Sequence, residues 1–159
     1  MTEASIANRS IVVVFPDGKD KAALIDIFSR SDWKLHFAQT FSETLEALSA
    51  FPGVVISQVR FADGNCWNGV LDEMQKMAFP PPLIVADRLA DENLWAEVLS
   101  RGAYDLLAMP FDAKEVLNAV HTACRRNEQN LEMTLHRKPA AFVKNGAMSG
   151  SNVRAAAGR

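Results

Sequence analysis

Side chains that do chemistry are few in this chain and lie far apart. Cys66 and Cys124 are the only cysteines, and His36, His121 and His136 the only histidines. No two of them share the short spacing that brings ligands to one metal. Neither H-E-x-x-H nor H-x-x-E-H occurs, so no zinc centre is expected. Gly-x-Gly-x-x-Gly and P-loop patterns are absent, and no nucleophile has an evident base, which argues against an enzyme. Asp17 and Asp87 follow apolar runs, and with Asp63 of a polar loop they could converge on a divalent cation through their carboxylate oxygens. In the plainer reading, Asp17 and Asp87 cap helices or face solvent, and Asp63-Gly64 makes a tight turn.

The elements that must position these residues alternate in type. Apolar runs at Ile11–Val14, Leu35–Ala38, Val54–Ile56, Leu83–Val85 and Asp105–Leu107 are short, and the first is rich in β-branched residues, as in a strand buried on both faces. Between and after them, apolar side chains recur at helical spacing: Leu24, Ile27 and Phe28; Leu45 and Leu48; Val70, Leu71 and Met74; Leu94, Trp95, Val98 and Leu99; Val116, Leu117, Val120 and Cys124. Thr40 with Glu43 has the capping-box spacing, Asp91 and Asp112 stand where helix N-caps are needed, and Gly102 stands where a left-handed residue ends a helix. Pro52-Gly53 and Pro80-Pro81-Pro82 punctuate the chain before the third and fourth strands.

Repeated strand–helix units imply right-handed crossovers and a five-stranded, doubly wound parallel sheet covered by helices on both faces, a three-layer α/β/α arrangement. A ligand crevice in such a sheet lies beyond the carboxyl ends of the strands. The residues found there are Phe15, Pro16 and Asp17, then Gln58, then Asp87, and then Met109.

The chain has 159 residues, 48% of them hydrophobic and 23% charged, as in a single soluble domain. No apolar run spans a bilayer, and the first residues lack the order of a secretion signal, so a cytoplasmic location is expected. The net charge of −2 is unevenly spread. Residues 1–124 hold ten basic against seventeen acidic side chains (−7), and residues 125–159 seven against two (+5). Three regions follow: an N-terminal arm at 1–9, a folded domain at 10–127, and a helix extension with a basic, flexible tail at 128–159. The last helix is expected to run a turn or two past Arg126, with periodicity fading beyond about Asn130. The tail carries Phe142 as its sole aromatic and no helix-turn-helix or other reader motif follows the folded domain, so nucleic acid is not expected as a partner; nor, with no spanning run, is a membrane.

Gly102-Ala103-Tyr104-Asp105-Leu106-Leu107-Ala108-Met109-Pro110-Phe111 resembles the G-A-x-D-[YF]-[LI]-x-K-P-[FL] segment of response-regulator receiver domains. Asn68-Gly69-Val70-Leu71 resembles the start of their third helix, after a slightly longer loop. The resemblance covers about residues 10–127. It implies a flavodoxin-like receiver fold with strand order 2-1-3-4-5 and a cis Met109-Pro110 bond.

Active receivers use an acidic pair that holds Mg²⁺, a phosphoacceptor aspartate, a Ser or Thr, and a Lys. The matching positions here are Phe15 with Pro16, Gln58 (or, with a one-residue slip, Ser57), Asp87 and Met109, and the aromatic switch position is Leu106. The resemblance thus implies a degenerate receiver in two-component, phosphorelay signalling. No phosphorylation and no Mg²⁺ or other cofactor is expected, and the chain would act by phosphorylation-independent protein–protein interaction. A protein partner, or a second copy in a homodimer, would meet the face formed by the fourth helix, fifth strand and fifth helix, marked by Trp95, Leu99, Tyr104 and Phe111. Trp67 would lid the crevice, and Trp33 would serve packing. The alternatives are a small-molecule sensor whose crevice has Phe15, Leu106 and Met109 as its floor and Gln58 and Asp87 as polar contacts, and a regulator that touches nucleic acid through the tail.

Overall fold

A computed structural model describes residues 9–142 of the chain. Five strands, β1 (Ser10–Val14), β2 (Lys34–Ala38), β3 (Val54–Gln58), β4 (Leu83–Asp87) and β5 (Asp105–Ala108), alternate with α1 (Lys19–Phe28), α2 (Phe41–Leu48), α3 (Trp67–Met74), α4 (Glu92–Ser100) and α5 (Ala113–Phe142). All strand pairs are parallel and the order is β2-β1-β3-β4-β5, as the resemblance implies. The Met109-Pro110 bond is cis.

Strand alternation sorts the core onto the two faces of the sheet. Ile11, Val13, Val54, Ile56, Ile84 and Leu107 point to one face, where Leu24 and Phe28 of α1 and Val116, Val120 and Ala123 of α5 cover them. Val12, Val14, Val55, Leu83 and Val85 point to the other and meet Leu48 of α2, Val70, Leu71 and Met74 of α3, and Val98 of α4. Removing these side chains from water is the main driving force for the three-layer packing.

Local signals set the helix ends. The Thr40 Oγ1 accepts from the Glu43 N–H at 3.1 Å, and the Glu43 carboxylate reaches back to the N–H of Gln39. Asp91 and Asp112 cap α4 and α5 through the N–H groups of Leu94 and Glu115. At the end of α4 the Ala103 N–H donates to Val98 O and the Gly102 N–H to Leu99 O, a Schellman arrangement that holds Gly102 at φ 107°.

The last helix departs from expectation by continuing to Phe142, well beyond a turn or two past Arg126. Residues 127–138 contain neither Gly nor Pro and are rich in Glu, Gln, Leu, Met, Arg and Lys, so intrinsic propensity continues the helix after the apolar stripe ends. The chain divides into two compact units, Met1–Asn127 and Glu128–Arg159. All strands, α1 to α4 and the first half of α5 lie in the first; the described part of the second is the rest of α5. The N-terminal arm before Arg9 and the basic tail beyond Phe142 lie outside the described residues. Among the described residues, no helix is long and apolar enough to cross a membrane.

Candidate functional site

The carboxyl ends of β1, β3, β4 and β5 bring together Phe15, Gln58, Asp87 and Met109, with Pro16 and Asp17 leading into α1. Phe15 is only 1% exposed, and its ring meets Phe111 edge-on with centroids 6.0 Å apart. It belongs to the α1/α5 side of the core, and the half-buried Met109 and Phe111 pack there too. The centre of the crevice is therefore a continuation of the hydrophobic core.

Ser57 is fully buried, and its hydroxyl donates to the Gln58 carbonyl at 2.7 Å. Gln58 is half-buried and pairs with Ala86, so it is the residue that emerges at the end of β3. Asp87 ends β4 and its Oδ2 accepts from the Leu89 N–H at 2.9 Å, an Asx-type turn, while Asp91 is the side chain that caps α4.

The three aspartates do not gather into a metal site. Among the described residues, no group of three or more His, Cys, Asp or Glu side chains could hold a metal ion. Each carboxylate is committed elsewhere. Asp17 is exposed and pairs with Lys21 at 2.7 Å, and this hydrogen bond and charge hold its carboxyl below the ordinary 3.8. Asp63 accepts from the Phe41 N–H at 3.0 Å, so it caps α2 from a distant loop, and from the Asn65 N–H at 3.2 Å. The Phe41 hydrogen bond is the larger cause of a carboxyl pKa lowered from 3.8. The Asp63-Gly64 turn is present, with Gly64 at φ 90°.

The apolar floor read from the sequence is also divided. Leu106 packs on the α2/α3/α4 side of the sheet, whereas Phe15 and Met109, just past the ends of β1 and β5, pack on the other. Trp67 does not lid the crevice. It is 3% exposed in the core beside α3, because it opens that helix on its inner face. Trp33 packs edge-on against Phe28, with Arg9 over its ring.

Trp95, by contrast, is 51% exposed on α4. Leu99 and Tyr104 are half-buried, as is Phe111, so the proposed face is part core edge and part open surface. Two features are missing from the sequence reading. Phe61 is buried and anchors the loop after β3, which is closed by an Arg60–Cys66 bridge. Arg88 reaches Asp20 of α1, with its Nη2 2.8 and 3.0 Å from the two carboxylate oxygens. The only sequence signal for that pair is that Arg88 is the cation directly following the crevice residue Asp87.

No protein-family model and no curated protein matches the sequence. Solved structures do. The signal receiver domain of an HD domain-containing protein from Pseudomonas fluorescens Pf-5 superposes with a TM-score of 0.69 at 22% identity, over 77% of this chain and 91% of that one. A response-regulator signal receiver domain from Bermanella marisrubri gives 0.64 at 24% identity, over 73% and 98%. The beryllofluoride-activated NtrC4 receiver domain dimer gives 0.64 at 20% identity, over 75% and 98%. At these identities the likeness is one of fold: this chain has the receiver-domain fold of response regulators, with the flavodoxin-like strand order.

Proposed function

We propose that the chain is a receiver-type module of two-component signalling that works by binding a protein partner and not by accepting a phosphoryl group. The observation that carries this reading is the burial of Phe15 against Phe111, where the resemblance calls for a metal-binding carboxylate. A phenyl ring cannot ligate Mg²⁺, and the adjacent Pro16 offers no side-chain oxygen. Asp17, the carboxylate that follows them, is paired with Lys21. Gln58 carries an amide that cannot form an acyl phosphate. Met109 supplies no charge to a phosphoryl oxygen, and the Asp87 carboxylate would repel one. The residues at this crevice therefore do not suit Mg²⁺, and the reading includes neither a metal nor a cofactor.

Binding would fall to the face of α4, β5 and α5. Exposed Trp95 is its best anchor, since tryptophan is over-represented where interfaces draw most of their energy. A second copy of the chain would be such a partner too; the NtrC4 receiver, which shares this fold, forms a dimer in its beryllofluoride-activated state. The test is incubation of the full chain with acetyl phosphate and Mg²⁺, read by intact mass. No phosphoryl adduct is expected, and an adduct on any aspartate of the crevice would overturn the reading.

A further inference from the structure

We infer that the Asp20–Arg88 ion pair is a built-in strap that sets the position of the β4–α4 linker, and with it the exposed apolar surface that the linker and α4 present. The argument begins with topology. β1 and β4 are the two neighbours of β3, so a link from the helix after β1 to the turn after β4 crosses the carboxyl end of β3. Arg88 makes that link over a sequence separation of 68 residues, its Nη2 donating to the Asp20 carboxylate at 2.8 and 3.0 Å from the two oxygens.

Both ends of the strap are themselves held. Asp20 lies in the first turn of α1. One residue on, Lys21 pairs with Asp17 and sits 4.5 Å above the ring of Phe37 in β2, so the start of α1 is fixed against the sheet edge. On the other side the linker is only residues 88–91. Asp87 accepts from the Leu89 N–H, the Leu89 carbonyl accepts from the Asp91 N–H at 2.8 Å, and Asp91 caps α4. Nothing in this short span can absorb a displacement of Arg88 except the turn and the first turn of α4. That segment carries Leu89, which is 78% exposed, and Trp95.

Arg88 and Asp20 are also partly solvent-exposed, Asp20 the less so. A pair of this kind is weakened by added salt, whereas the apolar core beneath it is not. The strap is thus a contact that ionic conditions can loosen without unfolding the domain. Its consequence for signalling rests on the reading of α4 as the docking face, but the strap itself does not.

The experiment is amide and indole NMR on the full ¹⁵N-labelled chain. In Asp20→Asn the resonances of residues 88–92 and the Trp95 indole are expected to shift, and in Arg88→Gln those of residues 17–22. The double variant should reproduce the shifts of the single variants near Leu89 and Trp95 without adding to them. Raising NaCl from 20 mM to 500 mM should move the wild-type Leu89 and Trp95 signals toward their positions in Asp20→Asn, which tests the idea with no substitution at all. Shifts that stay within residues 17–24 in Asp20→Asn, or a salt-insensitive Leu89–Trp95 segment, would overturn it. A partner that binds Asp20→Asn and wild type equally would count against the docking reading of α4 and leave these shifts untouched, so the two failures are distinguishable.

Discussion

Phe15 directly follows β1 and is buried, and in the proposed function its ring stands where a magnesium-binding receiver would place a carboxylate. Truncating a buried phenylalanine removes its transfer free energy and leaves a cavity, so Phe15→Ala should lower stability by about 3–5 kcal/mol in urea unfolding. Phe15→Asp should cost at least as much, because it places an unpaired carboxylate in the same apolar site. A loss below about 1 kcal/mol for Phe15→Ala would mean the ring does not close the crevice. A second residue-scale prediction concerns Asp63. Its folded-state pKa lies below 3.8 because the Phe41 N–H donates to its ionised form. The contribution is therefore complete above the ordinary carboxylate range and fades as pH falls through the lowered folded value. The Phe41 amide resonance should titrate with a midpoint below 3.8, and Asp63→Ala should abolish that titration. A midpoint at or above the ordinary value would remove Asp63 from the cap of α2.

Among the elements, those fixed by neighbours in the chain could be read in advance. Thr40 with Glu43, Asp91, Asp112 and Gly102 each act within a few residues, and each is found at the expected helix end. Thr40→Ala should cost about 1 kcal/mol through loss of the cap on α2. Gly102→Ala should cost about 1–2 kcal/mol, since φ 107° disfavours a side chain. The added Cβ would also stand 3.0 Å from the Gln75 amide nitrogen, a contact that side chain must relax. Thermal unfolding of both variants checks these values, and a neutral Gly102→Ala would contradict the Schellman end of α4. Features set by distant parts of the chain were not legible. Trp67 has the composition of a lid, yet it is inside because α3 turns that position to the core. Leu106 and Met109 look like one apolar surface, yet they pack on opposite sides of the sheet. Asp20 and Arg88 meet only after the sheet has assembled, and no local pattern announces such a pair. The end of α5 is hidden for another reason: the apolar period stops while helix-forming residues continue.

For the whole molecule, the receiver-type motif around Gly102–Phe111 carried both the strand order and the cis peptide, because it spans the turn, strand and loop that define this end of the sheet. The crevice residues could be named from the same register, but not their fates, which depend on how the core closes over Phe15. If α4 is the docking face, Trp95→Ala should leave the melting temperature nearly unchanged, as for most exposed positions, and weaken partner binding at least about tenfold. Comparative capture with wild type and the variant, followed by titration of the captured protein, measures this; equal binding would move the interface elsewhere. The account's central claim, that this receiver fold has no phosphoryl-binding site, is tested most directly by adding Mg²⁺ and beryllofluoride to the ¹⁵N-labelled chain. The predicted result is an amide spectrum that does not change; saturable shifts centred on Phe15, Asp17, Gln58, Asp87 and Met109 would contradict it.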